Sequence, residues 1–249
     1  MNIGIIPARL DSKRFPKKIL EPINGKPMIA NTVERTLMAK KLERVILAID
    51  SEETKHALRD FNFEIVMTSS EHQSGTDRIA EVACDFEDAD IIINIQGDEP
   101  LIDPKVIDSL VSKLEDPNVD FATVLSTNLT TSDFLDPNVV KAIINEKQEA
   151  IEFKRNIDDF EIGGVYRHVG LYGYTKEMLM RFTALAQSQN EIAQKLEQLR
   201  ALDNNITIDV VIDSCNGLSV DTKEDFEKIT KLVDSISEIE LIEDGYEEQ

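Results

Sequence analysis

With 249 residues, 41% of them hydrophobic, the chain is long enough for one large α/β domain or two small ones around a real core, which excludes disorder for most of it. The formal net charge of −21 excludes a nucleic-acid or anionic-membrane surface, because neither polyanion gains from meeting that field. A small anionic substrate remains compatible with it, given a local positive pocket and a divalent cation.

No apolar run approaches the roughly 20 residues that span a bilayer. Met1 leads straight into a strand without a charged and then hydrophobic leader, so the expected location is cytoplasmic, with no membrane insertion. Cys84 and Cys215 lack CxxC spacing and read as reduced, packed thiols.

The first strand, Ile3-Gly4-Ile5-Ile6, stops at Pro7 and opens into a loop that carries five basic residues from Arg9 to Lys18, with Asp11 as its only acid. Ligands of open α/β sheets sit beyond the carboxyl ends of the strands, where such loops converge. Arg9, Arg14 and Lys18 can each reach a different oxygen of one polyphosphate; arginine forks grip two oxygens, while lysine is a mobile point charge. A solvated basic loop is the competing account. A Walker-type loop is excluded by the missing glycine pattern and terminal Lys-Ser/Thr.

After the loop, Asn24-Gly25 marks a turn, and Pro27 suits the first turn of a helix over 28–40. A strand over 44–49, a helix from Ser51 to about 61, a strand over 64–67, a helix over 77–84 and a strand over 91–96 follow. Asp103-Pro104 caps a helix to about 115, and 121–125 forms another strand. This alternation predicts a mostly parallel sheet. From Val139 the strands crowd, at 139–144, 150–154 and 168–174, which predicts a mixed sheet or an antiparallel arm. Helices over 176–185 and 191–202, a strand over 207–212 and a helix from Thr222 complete the chain, with an acidic tail over about 238–249.

Gln96-Gly97-Asp98-Glu99-Pro100 places two carboxylates just past a buried strand, where the glycine permits close backbone approach. Oxygen donors there suit Mg2+, which takes one or two carboxylates plus phosphate oxygens; an ordinary turn is the alternative. Asp221 precedes a helix start, where it is either a helix cap or a second donor to the same metal. His168, Gly170, Tyr172 and Tyr174 share one face of a strand, either lining a pocket or satisfied within the core.

Five blocks in order resemble the 3-deoxy-manno-octulosonate cytidylyltransferases: Pro7-Ala-Arg-Leu-Asp-Ser-Lys-Arg-Phe-Pro16, Gly25-Lys-Pro-Met28, His72-Gln-Ser-Gly-Thr-Asp-Arg-Ile-Ala-Glu81, Asn94-Ile-Gln-Gly-Asp-Glu-Pro100 and His168-Val-Gly-Leu-Tyr172. Glu197-Gln198-Leu199-Arg200 and Val220-Asp221-Thr222 complete the set. The resemblance implies a single nucleotidyltransferase domain over 1–249, of the three-layer α/β nucleotide-diphospho-sugar transferase type. It would have a mostly parallel central sheet and a small antiparallel arm, over about 139–174, used to form a homodimer.

The implied reaction joins CTP and a 3-deoxy-octulosonic acid (Kdo), giving the CMP-sugar for lipopolysaccharide and pyrophosphate. By matching positions, Arg9, Ser12, Arg14 and Lys18 would hold the triphosphate, while Ala8, Ser74, Arg78 and Gln96 would surround the cytidine. Asp98 and Asp221 would carry Mg2+, which makes Arg9, Lys18, Asp98 and Asp221 the implied catalytic group. His168, Tyr172, Glu197 and Gln198 would meet the sugar acid, with Arg155 facing its carboxylate.

Two departures bear on the substrate. The family's Pro-Gly-Lys-Pro-Leu reads Pro16-Lys17-Lys18-Ile19-Leu20, and its Phe-Ser-Arg, followed shortly by Pro-Ile-Pro, reads Phe153-Lys154-Arg155-Asn156-Ile157. The 8-amino analogue of the sugar acid, or another anionic sugar or phosphonate, is therefore an alternative acceptor. A nucleotide-binding protein without catalysis is the rival from another class. A dehydrogenase is disfavoured, since no GxGxxG follows the first strand.

Overall fold

The computed structural model describes residues 1–12, 14–157 and 164–247, with side chains up to residue 235. Lys13, residues 158–163 inside the expected arm and residues 248–249 lie outside the described residues, as do the side chains of the acidic tail. Strand β1 (Asn2–Ala8) is buried on both faces, which is why it reads as an unbroken apolar run. A single 3-10 turn at Lys18–Leu20 leads into a small hairpin, β2 (Pro22–Ile23) and β3 (Lys26–Pro27). Its tip residues Asn24 and Gly25 take φ of 50° and 75°, the turn chemistry that Asn-Gly supplies.

Helix α1 (Met28–Thr36) ends before the expected Lys40 because the next apolar residues, Leu37 and Met38, face solvent. Strand β4 (Arg44–Ile49) is followed by α2 (Glu52–Ala57), capped by Ser51, and by β5 (Glu64–Met67). Helix α3 (Gly75–Cys84) starts two residues earlier than expected because Ser74 and Asp77 form a reciprocal capping box at its end. Strand β6 (Ile91–Asn94) stops short of Gln96, and α4 (Pro104–Leu114) is capped by Asp103 as expected.

Beyond β7 (Phe121–Ser126) lies α5 (Thr131–Leu135), a helix that the sequence does not predict. None of its residues is buried, so no apolar period announced it. Strand β8 (Lys141–Ile144) pairs antiparallel with β9 (Ala150–Lys154) on one side and with the long β10 (Val165–Thr175) on the other, the antiparallel arm that was expected. Helix α6 (Lys176–Thr183) follows. The single helix expected over 191–202 is instead two, α7 (Gln189–Gln194) and α8 (Leu199–Asp203), broken at Lys195, whose φ is 54°. Strand β11 (Asp209–Asp213) and α9 (Lys223–Glu247) end the chain.

The main sheet runs β11-β7-β10-β6-β1-β4-β5, with β8 on β10 and β9 outermost. Its β6-β1-β4-β5 half is parallel, and β10 is the antiparallel member wedged between β6 and β7. Two apolar layers cover its faces, one built on α1 and α4, the other on α3, α6 and α8. The carboxyl ends of β1, β4 and β6 therefore open on one edge, the crevice where ligands of such sheets bind. Among the described residues no helix is long and apolar enough to cross a membrane. Both cysteines are free, but Cys84 is exposed rather than packed as expected.

Candidate active site

The loop after β1, the start of α3 and the turn after β6 enclose a cavity of about 490 Å³. Ala8, Arg9, Ser12, Arg14 and Lys18 line it from the first loop. Ser74 and Arg78 face them from α3, and Gln96, Asp98 and Asp221 close the other side. Every residue expected at the nucleotide and the metal is thus brought to one cavity.

Local chemistry explains each placement. A β-carbon on Gly97 would lie 3.1 Å from the Pro7 carbonyl oxygen and 2.9 Å from Ile29, so only glycine lets the β6 turn press against the end of β1. The Val220 N–H donates to the Asp98 carbonyl at 2.9 Å, which ties the segment carrying Asp221 to the turn carrying Asp98. Thr222 takes the capping role at the start of α9, its hydroxyl accepting from the Asp225 N–H at 3.2 Å. The Asp221 carboxylate is thereby left free for the cleft.

Lys18 sits between the two acids. Its Nζ donates to Asp98 Oδ2 at 2.7 Å and to the Val220 carbonyl at 2.7 Å, and lies 3.8 Å from Asp221 Oδ1. Arg14 pairs with the same Asp221 oxygen at 2.6 Å. Arg9 is exposed and has no ion pair among the described residues, so its guanidinium is available to an anion. Arg78 is the opposite case, nearly buried, bonded to Asp50 at 2.9 Å and to the Thr68 hydroxyl.

Asp50 is a residue the sequence reading missed. It also accepts the Leu10 N–H at 3.0 Å, so one carboxylate after β4 fixes both Arg78 and the first loop. The signal was present: an acid one residue beyond a buried strand, the rule already applied to Asp98. His72, to which no role was assigned, lines the cavity while bonded to Glu81. That bond holds the Glu81 carboxyl below its ordinary range.

Two carboxylates of hard oxygen donors, close enough to share one lysine, suit Mg2+, which takes few protein ligands and completes its shell with phosphate and water. Among the described residues no group of three or more acids, histidines or cysteines gathers for a metal. The donor set therefore fits a substrate-borne ion better than a permanently caged one.

The residues expected at the sugar acid are assembled differently. His168 Nε2 meets the Thr123 hydroxyl at 3.1 Å, and its ring lies 5.4 Å from Tyr172 and 5.0 Å from Phe153. Burial pushes the imidazole down to about 3 and raises the Tyr172 phenol above its usual range, so both are neutral at pH 7. Neither is among the residues lining the nucleotide cavity. Glu197 accepts from the Thr76 hydroxyl, and burial raises its carboxyl. It lines a smaller cavity, about 370 Å³, together with Ser74. Gln198 is buried at the start of α8.

Arg155 lines a third space, about 1100 Å³, that shares Arg14 and Asp221 with the nucleotide cavity. Three of its nitrogens are occupied by backbone carbonyls of Pro137, Gln194 and Lys195.

A family model described as cytidylyltransferase matches residues 3–208. The 3-deoxy-manno-octulosonate cytidylyltransferase of Geobacter metallireducens is 43% identical over 92% of this chain and 96% of its own. The chain belongs to the 3-deoxy-manno-octulosonate cytidylyltransferase family.

The Geobacter sulfurreducens relative of the same name is also 43% identical, over 92% of this cytidylyltransferase and 98% of its own length. A solved CMP:2-keto-3-deoxy-manno-octonic acid synthetase, complexed with CTP, superposes with a TM-score of 0.88 at 35% identity, covering 94% of this cytidylyltransferase and 99% of that chain. The inositol-1-phosphate CTP transferase from T. maritima shares only the fold, with a TM-score of 0.67 at 18% identity.

Proposed function

We propose that this enzyme transfers CMP from CTP to Kdo, in the cytoplasm and with Mg2+, to supply activated sugar for lipopolysaccharide. The observation that carries the reading is the convergence of Lys18, Arg14, Asp98 and Asp221 at one end of a nucleotide-sized cavity, in a chain of this family.

Arg9, Ser12 and Arg14 bind the phosphates, and Lys18 follows the charge that develops on the leaving oxygen. Ala8, Ser74, Arg78 and Gln96 enclose the cytidine, with Arg78 held rigid by Asp50 and Thr68. The acceptor's anomeric hydroxyl forms the new bond to the α-phosphorus, the bond to the bridging oxygen breaks in line with its electron pair leaving on pyrophosphate, and the hydroxyl proton passes to solvent. Positioning and charge neutralisation are the main contributions to such transfers, so no side-chain nucleophile is needed. Asp98 and Asp221 would hold Mg2+, which when bound withdraws charge from the phosphate oxygens. His168, Tyr172, Glu197, Gln198 and Arg155 orient the sugar acid.

The arm supports a homodimer: β9 is the outermost strand of the main sheet and exposes Ile151, and Leu135 lies exposed on nearby α5. Light scattering on the purified chain should return twice the mass of 28.1 kDa.

The decisive assay mixes the protein with CTP, MgCl2 and Kdo and follows pyrophosphate. Stoichiometric release with CMP-Kdo formation is expected. Release with the 8-amino analogue alone would transfer the reading to that acceptor, and CTP binding without turnover on either would leave the non-catalytic account.

A further inference from the structure

We propose that Lys195 binds the carboxylate of the acceptor sugar acid, with Arg155 as the positioning residue that holds it in place. This rests on the acceptor being a 2-ulosonic acid, as proposed above. In such an acid the carboxylate is carried by the same carbon as the attacking hydroxyl. During transfer it must therefore lie close to the triphosphate, and a cation on that side is needed to offset the repulsion between the two anions.

The wall of the 1100 Å³ space offers three cations beside Arg14: Lys154, Arg155 and Lys195. Lys154 is already paired with Glu152 at 2.7 Å. Arg155 spends its Nε on the Gln194 carbonyl at 3.1 Å, Nη1 on Pro137 at 3.1 Å and Nη2 on Lys195 at 3.3 Å. These bonds leave its charge in place but fix its orientation toward backbone. Lys195 has no side-chain hydrogen bond or ion pair among the described residues, and it is exposed.

The backbone of Lys195 adds an independent observation. Its φ of 54° and ψ of 48° are left-handed, a conformation disfavoured for any residue with a β-carbon. This is the break that splits the expected helix into α7 and α8, and the Arg155 bond to its carbonyl is one of the contacts that hold it. Lys195 lines both the large space and the smaller cavity that contains Ser74 and Glu197. Lys195 thus borders both the space that holds Arg14 and Asp221 and the one that holds Glu197, so a ligand spanning the two passes beside it. The ordinary alternative is a lysine that merely complements the C-terminal dipole of α7.

Steady-state rates of the full chain separate the two. Glycine accepts the left-handed conformation freely, so K195G removes the cation while keeping the turn. The expected result is an acceptor KM raised about tenfold, the scale of one charge-assisted contact, with kcat and the CTP KM changed less than about twofold. K195R should recover most of the loss. The wild-type acceptor KM should also rise with ionic strength, and that slope should flatten in K195G. A K195G enzyme with the wild-type acceptor KM, or one that loses both substrates equally, overturns the assignment. A wild-type protein that binds CTP but never releases pyrophosphate with an ulosonic acid overturns the functional reading itself, and this assignment with it.

Discussion

On the nucleotide side of the cleft, cations and carboxylates pair directly at the edge of the cavity: Lys18 with Asp98 and Asp221, Arg14 with Asp221. On the acceptor side, His168 and Tyr172 belong to a ring series that runs on through Tyr174 and Phe121 to Phe182. Under the proposed function the first region would work by exchange, an incoming phosphate or metal ion replacing the partners that these side chains already give one another. The second is a packed wall whose groups cannot move without disturbing the core. The contrast teaches that charge can be stored ready for a ligand in partly solvated pairs, whereas shape must be built from buried rings.

Breaking the exchange side should give the largest effect. D98N removes the carboxylate charge that pairs with Lys18 and that would hold Mg2+ in the proposed reaction, and loss of such a stabilising group costs on the order of 10² to 10³ in kcat. Pyrophosphate release measures it, with circular dichroism confirming the fold. A D98N enzyme within tenfold of the parent would take the aspartate pair out of the chemistry.

The two sides also carry buried titratable groups of opposite sign. His168 is depressed from 6.5 to about 3, so between those values the unfolded chain binds a proton that the folded chain refuses. Stability is complete above about pH 6.5 and falls as the pH drops toward 3. Glu99, 5% exposed and beside Asp98, is raised from 4.5 to about 8 by burial first and by Asp98 second, with Arg167 opposing. Here the folded chain keeps the proton, so stability is lost as the pH rises from 4.5 to 8 and levels above that. E99Q should therefore raise the melting temperature at pH 8 and leave it nearly unchanged at pH 4. H168Q should flatten the acid limb between pH 6 and 4. Each effect is a few kcal/mol at most, read from denaturant midpoints across pH, and an E99Q protein that is less stable at pH 8 would contradict the alkaline half.

Much of the exchange side was legible in the chain itself, because its chemistry lies in contiguous loops at strand ends. Arg9, Arg14, Lys18 and Asp98 could be read from the rule that ligands gather beyond the carboxyl ends, whereas Ser12 and Gln96 came only with the family resemblance. That Asp221 meets Asp98 depends on a backbone bond between Val220 and Asp98, more than a hundred residues apart, which no local pattern encodes. The acceptor side was harder for the same reason. The split at Lys195 overrides a continuous helical pattern, and the partners of Arg155 are carbonyls, which every residue carries and no sequence distinguishes.

The smallest effect sharpens the comparison within the first loop. Lys17 stands where the family motif has glycine, and it holds φ at 56° and ψ at 24°, the left-handed region that glycine enters freely. The loop holds this left-handed turn despite the side chain, at a cost of about 1 kcal/mol. Lys17 also pairs with Glu53 at 2.6 Å on the surface, where both partners are about half exposed and such a pair contributes little. K17A removes the pair and keeps the strain, whereas K17G removes both. K17G should thus be more stable than K17A by about 1 kcal/mol and slightly more stable than the parent, measured by urea denaturation. CTP affinity should be unchanged, because the Lys18 that follows is set by Asp98 and the Val220 carbonyl rather than by the residue before it. Equal stabilities for K17G and K17A would mean that the left-handed turn carries no strain, and that the exchange side tolerates a β-carbon there as readily as the family's glycine.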